Sequence, residues 1–353
     1  NWGDYRKGNR PGSARRLAAD ASCFVAKVLA ANPTDMPHRA ISRKTAFCFL
    51  VYLVLAWGAN WSISKAILEE VSPLWAAVFC MVPSCLLIWM LCLATGRLSL
   101  PPRNDLPIVF SVGLLHMGAF TLLTRIGLLH LPAGRSVILA YTTPLWVLPA
   151  ARIFLKEKFT AWSILGLLLG LGGMLVLFRP ASFDWTERDI VVGHGLILLS
   201  ALCWAICIVH MRGHRWTSTT LRLLPWQTLV ASTVFLTVAL AREGVPDIRW
   251  SWKLVGLMAY TVVVATVIAY WVMNTVNRSL PASVTSMALL GVPLVGLLIS
   301  TILLKEPVDA TLVAAGLMIT IGVALGTWKG GRAKEPPPKP LDPERDRRLG
   351  DGV

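Results

Sequence analysis

Leu131–Glu157 reads LPAGRSVILAYTTPLWVLPAARIFLKE, and Leu280–Glu306 reads LPASVTSMALLGVPLVGLLISTILLKE, a match without gaps at an offset of 149 residues. Each copy opens on Leu-Pro-Ala, carries a proline near the middle of an apolar run (Pro144, Pro293) and closes on Leu-Lys-Glu, with Ser136 falling on Thr285. Working outward, one extra loop residue brings Gly166 and Gly172 onto Gly316 and Gly322, and Trp57 and Trp204 mark the first apolar segment of each half. Similarity at a fixed long offset is the mark of a duplicated architecture.

The segments that repeat are membrane-like. The chain is 55% apolar and 15% charged, and its apolar residues form blocks rather than periodic faces. A spanning helix needs about 20 mainly apolar residues. Ten such blocks are expected, from Ala46 to Ser64, Pro73 to Ala94, Leu106 to Thr124, Ser136 to Leu155, Ala161 to Leu177, Ile190 to His210, Leu223 to Ala241, Leu254 to Met273, Ala282 to Leu304 and Ala310 to Trp328. The fold class is therefore an all-α integral membrane protein with two five-helix repeats, 46–178 and 190–328. An odd number of spans per repeat inverts the second relative to the first, the arrangement used by secondary transporters whose site lies between the halves.

The net charge of +15 arises mainly in the tails and helix-flanking loops, which reads as positive-inside topology and not as nucleic-acid binding. Residues 1–45 carry nine Lys and Arg and no long apolar stretch, and are expected to be a disordered basic tail; a start at Met36 would leave a normal membrane protein. Residues 329–353, with Pro336, Pro337, Pro338 and Pro340, read as a solvated, disordered cytoplasmic tail. Cys48, Cys80, Cys85, Cys92, Cys203 and Cys207 lie in apolar segments without metal-ligand spacing and read as buried small hydrophobes. No metal site and no cofactor is expected.

Several polar groups inside the apolar blocks suggest a site. Trp57, Asn60, Trp61 and Ser64 stand at i, i+3, i+4 and i+7, on one helix face. Tryptophans alone could anchor at the interface, but an amide in hydrocarbon faces protein or a cavity, so this face is read as inward. Thr266, Tyr270 and Asn274 repeat the pattern in the eighth segment, and Ser200, Trp204 and Cys207 in the sixth. Tyr141 and Thr142 precede the Pro144 kink; the hydroxyl of Thr142 is expected to bond locally to a freed carbonyl. The expected substrate walls are Trp57, Asn60, Trp61, Tyr141, Trp204, Tyr270 and Asn274, with Pro144 and Pro293 as gating kinks. His116, central in the third segment, is either a bonded structural histidine or a proton site. Arg125 and Arg135 are expected to snorkel to the interface, and Glu157 and Glu306 to form interfacial ion pairs or caps. Gly166 with Gly170, and Gly322 with Gly326, have GxxxG spacing suited to close helix packing inside the monomer.

These residues resemble the drug/metabolite transporter superfamily of EamA type, over roughly Thr45 to Trp328. The marks are Ala56-Trp57-Gly58-Ala59-Asn60, the two proline-containing segments closing on Leu-Lys-Glu where the family usually has Leu-Gly-Glu, the Gly-rich segments after them, Leu224-Pro225-Trp226-Gln227 and Ala269-Tyr270-Trp271. The resemblance implies ten helices, both termini in the cytoplasm of a bacterial cell, and export or exchange of small metabolites, amino acids or drugs across the inner membrane. The expected partners are a small-molecule substrate and membrane lipids, without nucleic acid, the chain acting as monomer or homodimer. The alternative class is an intramembrane enzyme or lipid-carrier flippase. The chain has no His-Glu-x-x-His, no Gly-x-Ser-x-Gly, no paired intramembrane carboxylates and no P-loop, so neither enzyme chemistry nor a self-contained ATP-driven pump is indicated.

The short loops carry nine Lys and Arg on each side of the expected membrane, and the tails add sixteen to one side. Reporter fusions after Ser182 and Val353 should therefore report opposite sides; the same side for both would refute five spans per repeat.

Overall fold

The computed structural model describes residues 43–156, 161–178, 187–218, 220–279, 289 and 291–328. Both tails, Glu157, the Leu280–Ala282 opening and Thr285 lie outside the described residues. The helices are α1 (Arg43–Leu68), α2 (Pro73–Ala94), α3 (Arg103–His130), α4 in two pieces (Ala133–Ala140 and Thr143–Phe154), α5 (Ala161–Phe178), α6 (Arg188–Gly213), α7 (Thr220–Glu243), α8 (Trp252–Ala259 continuing to Ser279), α9 (Gly291–Leu304) and α10 (Ala310–Trp328). Among the described residues there is no strand. By length and composition seven helices can cross a membrane, namely α1 to α4 and α6 to α8, and α5, α9 and α10 are shorter apolar helices within the described residues. Large apolar side chains such as Leu55, Leu86, Met90, Phe110, Leu168 and Ile302 are exposed on the outside of the bundle, as expected where the surrounding medium is hydrocarbon.

The helices pack in a pattern that is preserved when the two halves are exchanged. α5 packs on α10, α2 on α7 and α4 on α9. α1 contacts α9 and α8 as α6 contacts α4 and α3, and α2 meets α8 as α7 meets α3. Glycines permit the closest of these approaches. A Cβ on Gly322 would lie 2.6 Å from the carbonyl oxygen of Gly166 and 2.7 Å from the amide nitrogen of Gly170, so the GxxxG pair on α5 serves packing against α10 within one chain. A Cβ on Gly58 of α1 would meet Val295 of α9 at 2.6 Å.

Irregular backbone recurs at matched places. α3 and α8 each contain a nine-residue stretch of π-helix, Val112–Phe120 and Tyr260–Ile268, within one residue of the positions that the sequence repeat equates. The sequence suggested no such widening, which is bonded i→i+5 and commonly marks functional positions. α4 was expected to be one helix kinked at Pro144. It is broken instead at Tyr141–Thr142, and Pro144 sits in the first turn of the second piece. The reason is steric and electrostatic together: proline has no N–H to give and its ring clashes with the carbonyl four residues earlier, at Ala140. The hydroxyl of Thr143 donates to the carbonyl of Ala140 (2.7 Å), which Pro144 leaves free, and that of Thr142 donates to the carbonyl of Leu139 (2.6 Å), which also accepts the Thr142 N–H (3.1 Å), the local role expected for Thr142. Pro293 is the third residue of α9 and is buried; residues 280–288, before it, lie outside the described residues.

At the other end of each proline helix the chain turns through a left-handed residue, Lys156 with φ 56° and Lys305 with φ 54°. These are the lysines of the two Leu-Lys-Glu closures. A side chain in this conformation crowds its own carbonyl, at a cost of about 1–2 kcal/mol, whereas glycine adopts it freely. Both lysines are exposed. Lys156→Gly and Lys305→Gly should each stabilise the protein by roughly 1 kcal/mol, read as a higher unfolding midpoint in detergent.

Candidate functional site

α1 is held to α8 by four hydrogen bonds that meet the π segment. Tyr52 donates its hydroxyl to the carbonyl of Val264 (2.7 Å), Trp57 donates Nε1–H to that of Ala265 (3.0 Å), Thr261 donates to Asn60 Oδ1 (3.0 Å), and Tyr260 donates to the carbonyl of Ala56 (3.1 Å). Thr266 closes a turn of the widened helix by donating to the carbonyl of Thr261 (2.8 Å). Asn60 thus faces protein, as its amide required, and Trp57 is a cross-helix donor, not an interfacial anchor. Thr261 is the partner that sequence reasoning missed; its β-branched surroundings, Thr261-Val262-Val263-Val264, carry no polar pattern to single it out.

A second group gathers around α6. The ring of His116, in the π segment of α3, stacks on Trp204 with centroids 5.3 Å apart and planes at 4°. Phe120 lies 5.2 Å from the same indole, and Tyr141, at the break in α4, meets it edge-on at 6.1 Å. Parallel and edge-to-face rings are the favoured aromatic geometries. Trp61 is buried in a cluster with Leu128, Val137, Ile197 and Val292, against which Trp57, Phe120 and Tyr141 also pack. Tyr270 belongs to the neighbouring cluster that includes Met117 and Cys207.

The expected wall residues therefore divide. Trp57, Trp61 and Tyr141 share one cluster and Trp204 contacts it through Tyr141 and Phe120, while Asn60 joins α1 to α8 beside it. Tyr270 packs in the adjacent cluster, and Asn274 is on α8 with its side chain outside the described residues. His116, Trp57, Asn60, Tyr141, Trp204 and Tyr270 are all half-buried although they lie within the bundle and come from both halves of the chain. Phe120, one turn beyond His116, is an aromatic wall residue that sequence reasoning missed; its spacing from His116 was the available signal. Among the described residues no group of His, Cys, Asp and Glu could hold a metal. Of the six cysteines described, Cys80, Cys85 and Cys207 are buried as expected, Cys92 and Cys203 partly so, and Cys48 is exposed on α1, because it lies on the outer face with Phe47 and Val51.

One end of this region is closed by charge. Glu306 turns back after left-handed Lys305 and accepts hydrogen bonds from the backbone N–H groups of Ala133 (2.7 Å) and Gly134 (3.0 Å), the open N-terminus of α4. Lys65 of α1 lies 3.4 Å from the same carboxylate and donates to the carbonyl of Leu131 (2.8 Å). A carboxylate on a helix N-terminus satisfies orphan donors and the positive end of the helix dipole. Glu306 is thus both a cap and an ion-pair partner, and it ties α1 and α4 of the first half to the end of α9 in the second.

Arg125 departs from expectation. It does not snorkel: only 5% of it is exposed, and Nε and Nη1 find no hydrogen-bond partner among the described residues. Its place one turn before the end of α3 suggested access to the interface, but the Thr121–His130 segment is packed by α1, α2 and α6.

A multi-helix membrane bundle with paired halves and a half-buried polar and aromatic interior defines a membrane carrier protein. The EamA-like transporter family matches residues 44–179 and again 191–328, and the chain belongs to that family. Among similar proteins, the uncharacterized transporter YoaV of Bacillus subtilis is 23% identical over 81% of this chain and 97% of its own length, and the uncharacterized transporter YvbV of the same organism 27% identical over 81% and 92%. A protein of Salmonella typhimurium named a probable amino-acid metabolite efflux pump is 24% identical over 82% of this chain and 96% of its own. A crystal structure superposes with a TM-score of 0.58, at 18% identity, over 83% of this chain and 100% of that one, which supports the fold. The protein is a membrane transporter of small molecules.

Proposed function

We propose that the chain works by alternating access as ten spans in two inverted five-helix halves, 46–178 and 190–328, with both termini in the cytoplasm of a bacterial cell and the substrate held between the halves. The observation that carries this reading is that half-buried Trp57, Asn60, His116, Tyr141, Trp204 and Tyr270, from both halves, lie inside the bundle in two adjacent clusters and the α1–α8 contact beside them. Aromatic walls with a few polar groups suit a small organic solute better than a bare ion. The packing that survives exchange of the halves, and the paired π segments, support an inverted repeat, the architecture in which one half rocks against the other around a fixed site. The Lys65–Glu306–α4 contact is the closed gate on one side, and the break before Pro144, with Pro293 at the matching place in α9, supplies the hinges. The Salmonella relative's printed name favours efflux of an amino-acid-like metabolite.

Asn60→Ala removes the acceptor for Thr261, and Trp204→Ala removes the centre of the aromatic group. Each should lower flux in proteoliposomes at least about tenfold, the equivalent of about 1.4 kcal/mol, while surface expression changes less. Normal flux in both variants would place the site elsewhere.

Transport is proposed to run down the substrate's own gradient or by exchange. The ten apolar segments contain no Asp or Glu in their interiors, and intramembrane carboxylates are the common proton carriers. His116 and His194 are the histidines in those interiors; the ring of His116 is engaged in a stack with Trp204, and Nδ1 of His194 lies 2.8 Å from the carbonyl of Ile190. With a neutral substrate in proteoliposomes, a pH gradient of about one unit, about 1.4 kcal/mol per proton, should produce no uphill accumulation. Accumulation that disappears in His116→Ala while downhill flux persists would assign proton coupling to His116.

A further inference from the structure

Arg125 is a buried cation for which no counter-charge is found among the described residues. The helices packed against its segment, α1, α2, α4 and α6, and the end of α3 contain one acidic residue among them, Asp189, and Glu306 caps α4, where it is paired with Lys65. The side chain of Asp189 is 84% exposed and lies 3.6 Å from His130 Nδ1. No ion pair or hydrogen bond reaches Arg125 among the described residues, and Nε and Nη1 are enclosed without a partner. Burying an unpaired guanidinium is among the costlier things a protein can do, and a membrane interior makes it no cheaper.

Its position relates it to the aromatic group. Thr124, the preceding residue, donates to Ser200 (3.3 Å), which donates in turn to the carbonyl of Ile197 (2.7 Å), and Ser200 stands one turn before Trp204 on α6. Phe120, which touches Trp204, is five residues before Arg125, about 7.5 Å along the helix axis and about 140° around it. The guanidinium fork matches planar and tetrahedral oxyanions with paired hydrogen bonds, which an ammonium cannot do.

We infer that Arg125 anchors an oxyanion, a carboxylate or a phosphate, on the transported solute. The inference rests on the transporter reading above and adds the sign of the substrate's charge. Loading pairs the guanidinium; the unloaded carrier holds it unpaired.

The test uses the full chain in detergent and four probes that share a phenyl ring: phenylacetate, phenyl phosphate, benzyl alcohol and benzylamine. For the wild type, phenylacetate or phenyl phosphate should raise the unfolding midpoint by about 2 °C or more at saturation, and benzyl alcohol and benzylamine should not. The acid that gives the larger shift identifies the oxyanion. Arg125→Gln should abolish that shift and, unlike the loss of a structural residue, should itself raise the midpoint of the unliganded protein, because it removes an unpaired buried charge. Arg125→Lys, which keeps the charge and loses the fork, should fold and show a reduced shift. Equal shifts from acid, alcohol and amine in the wild type, or an Arg125→Gln protein that is less stable yet responds to the acids as before, would overturn the inference. A shift that requires added phosphatidylglycerol would also overturn it, by assigning Arg125 to a lipid headgroup. Proteoliposome flux separates this outcome from failure of the transporter reading. Arg125-dependent stabilisation without flux of any probe leaves the anchor and refutes transport of these solutes, whereas flux of benzylamine alone leaves transport and refutes the anchor.

Discussion

A bilayer interior offers no water to a backbone N–H or C=O, so any departure from regular helix must find its hydrogen bonds within the protein. This structure departs in several described places, and three of them show how the bonds are recovered. At the α4 break the carbonyls of Leu139 and Ala140 are taken by the hydroxyls of Thr142 and Thr143. In the widened stretch of α8 the carbonyls of Val264 and Ala265 accept from Tyr52 and Trp57. At the start of α4 the N–H groups of Ala133 and Gly134 are taken by Glu306. In two of the three cases the compensating group comes from another helix, so the local irregularity becomes a contact between elements far apart in sequence.

That coupling has a mechanical consequence. A helix whose backbone is completed by a neighbour cannot move independently of it, and contacts with discrete partners exchange rather than stretch. α1 is tied to α8 by hydrogen bonds over the stretch Tyr52–Asn60, so rocking of the halves must either carry α1 with α8 or break these bonds. The Glu306 contact is different in kind, because it rests on one carboxylate, one lysine and two backbone donors at an end of the bundle. The sequence repeat places Glu157 in the corresponding position, after a lysine with the same left-handed conformation as Lys305. In the proposed alternating-access cycle, a gate built on Glu306 would have its sequence counterpart at Glu157, and a shared design would keep the two closed states close in free energy, as a reversible carrier needs.

The duplication, the membrane class and the inward face of α1 were legible in the sequence because each rests on residue identity: proline, Leu-Lys-Glu and an amide among apolar residues announce themselves. Pro144 also predicted a disturbed helix, but not whether the result is a kink or a full break. That depends on Thr142 and Thr143 being free to accept the local solution. The π segments were not legible. Widening one stretch of an apolar helix changes hydrogen-bond register without requiring a distinctive side chain, and the signals that exist, Gly113 against α7 and the donors Tyr52 and Trp57 on α1, are meaningful only once the neighbours are known. Arg125 was misread for a similar reason. Distance from a helix end measures reach to the interface, but burial is decided by which helices surround that end.

The charge inventory of the interior bears on how such a carrier cycles. With Arg125 unpaired among the described residues and no acid in the interiors of the apolar segments, the empty protein would carry an uncompensated positive charge through the proposed rearrangement of its halves. Moving a charge through low dielectric raises the barrier, whereas a hydrogen-bonded ion pair moves at a smaller electrostatic cost. A bound anion would therefore lower the barrier to reorientation relative to the empty carrier. A carrier that turns over faster loaded than empty favours one-for-one exchange over net movement, and so the same buried guanidinium that selects the sign of the substrate also biases the transport mode toward exchange.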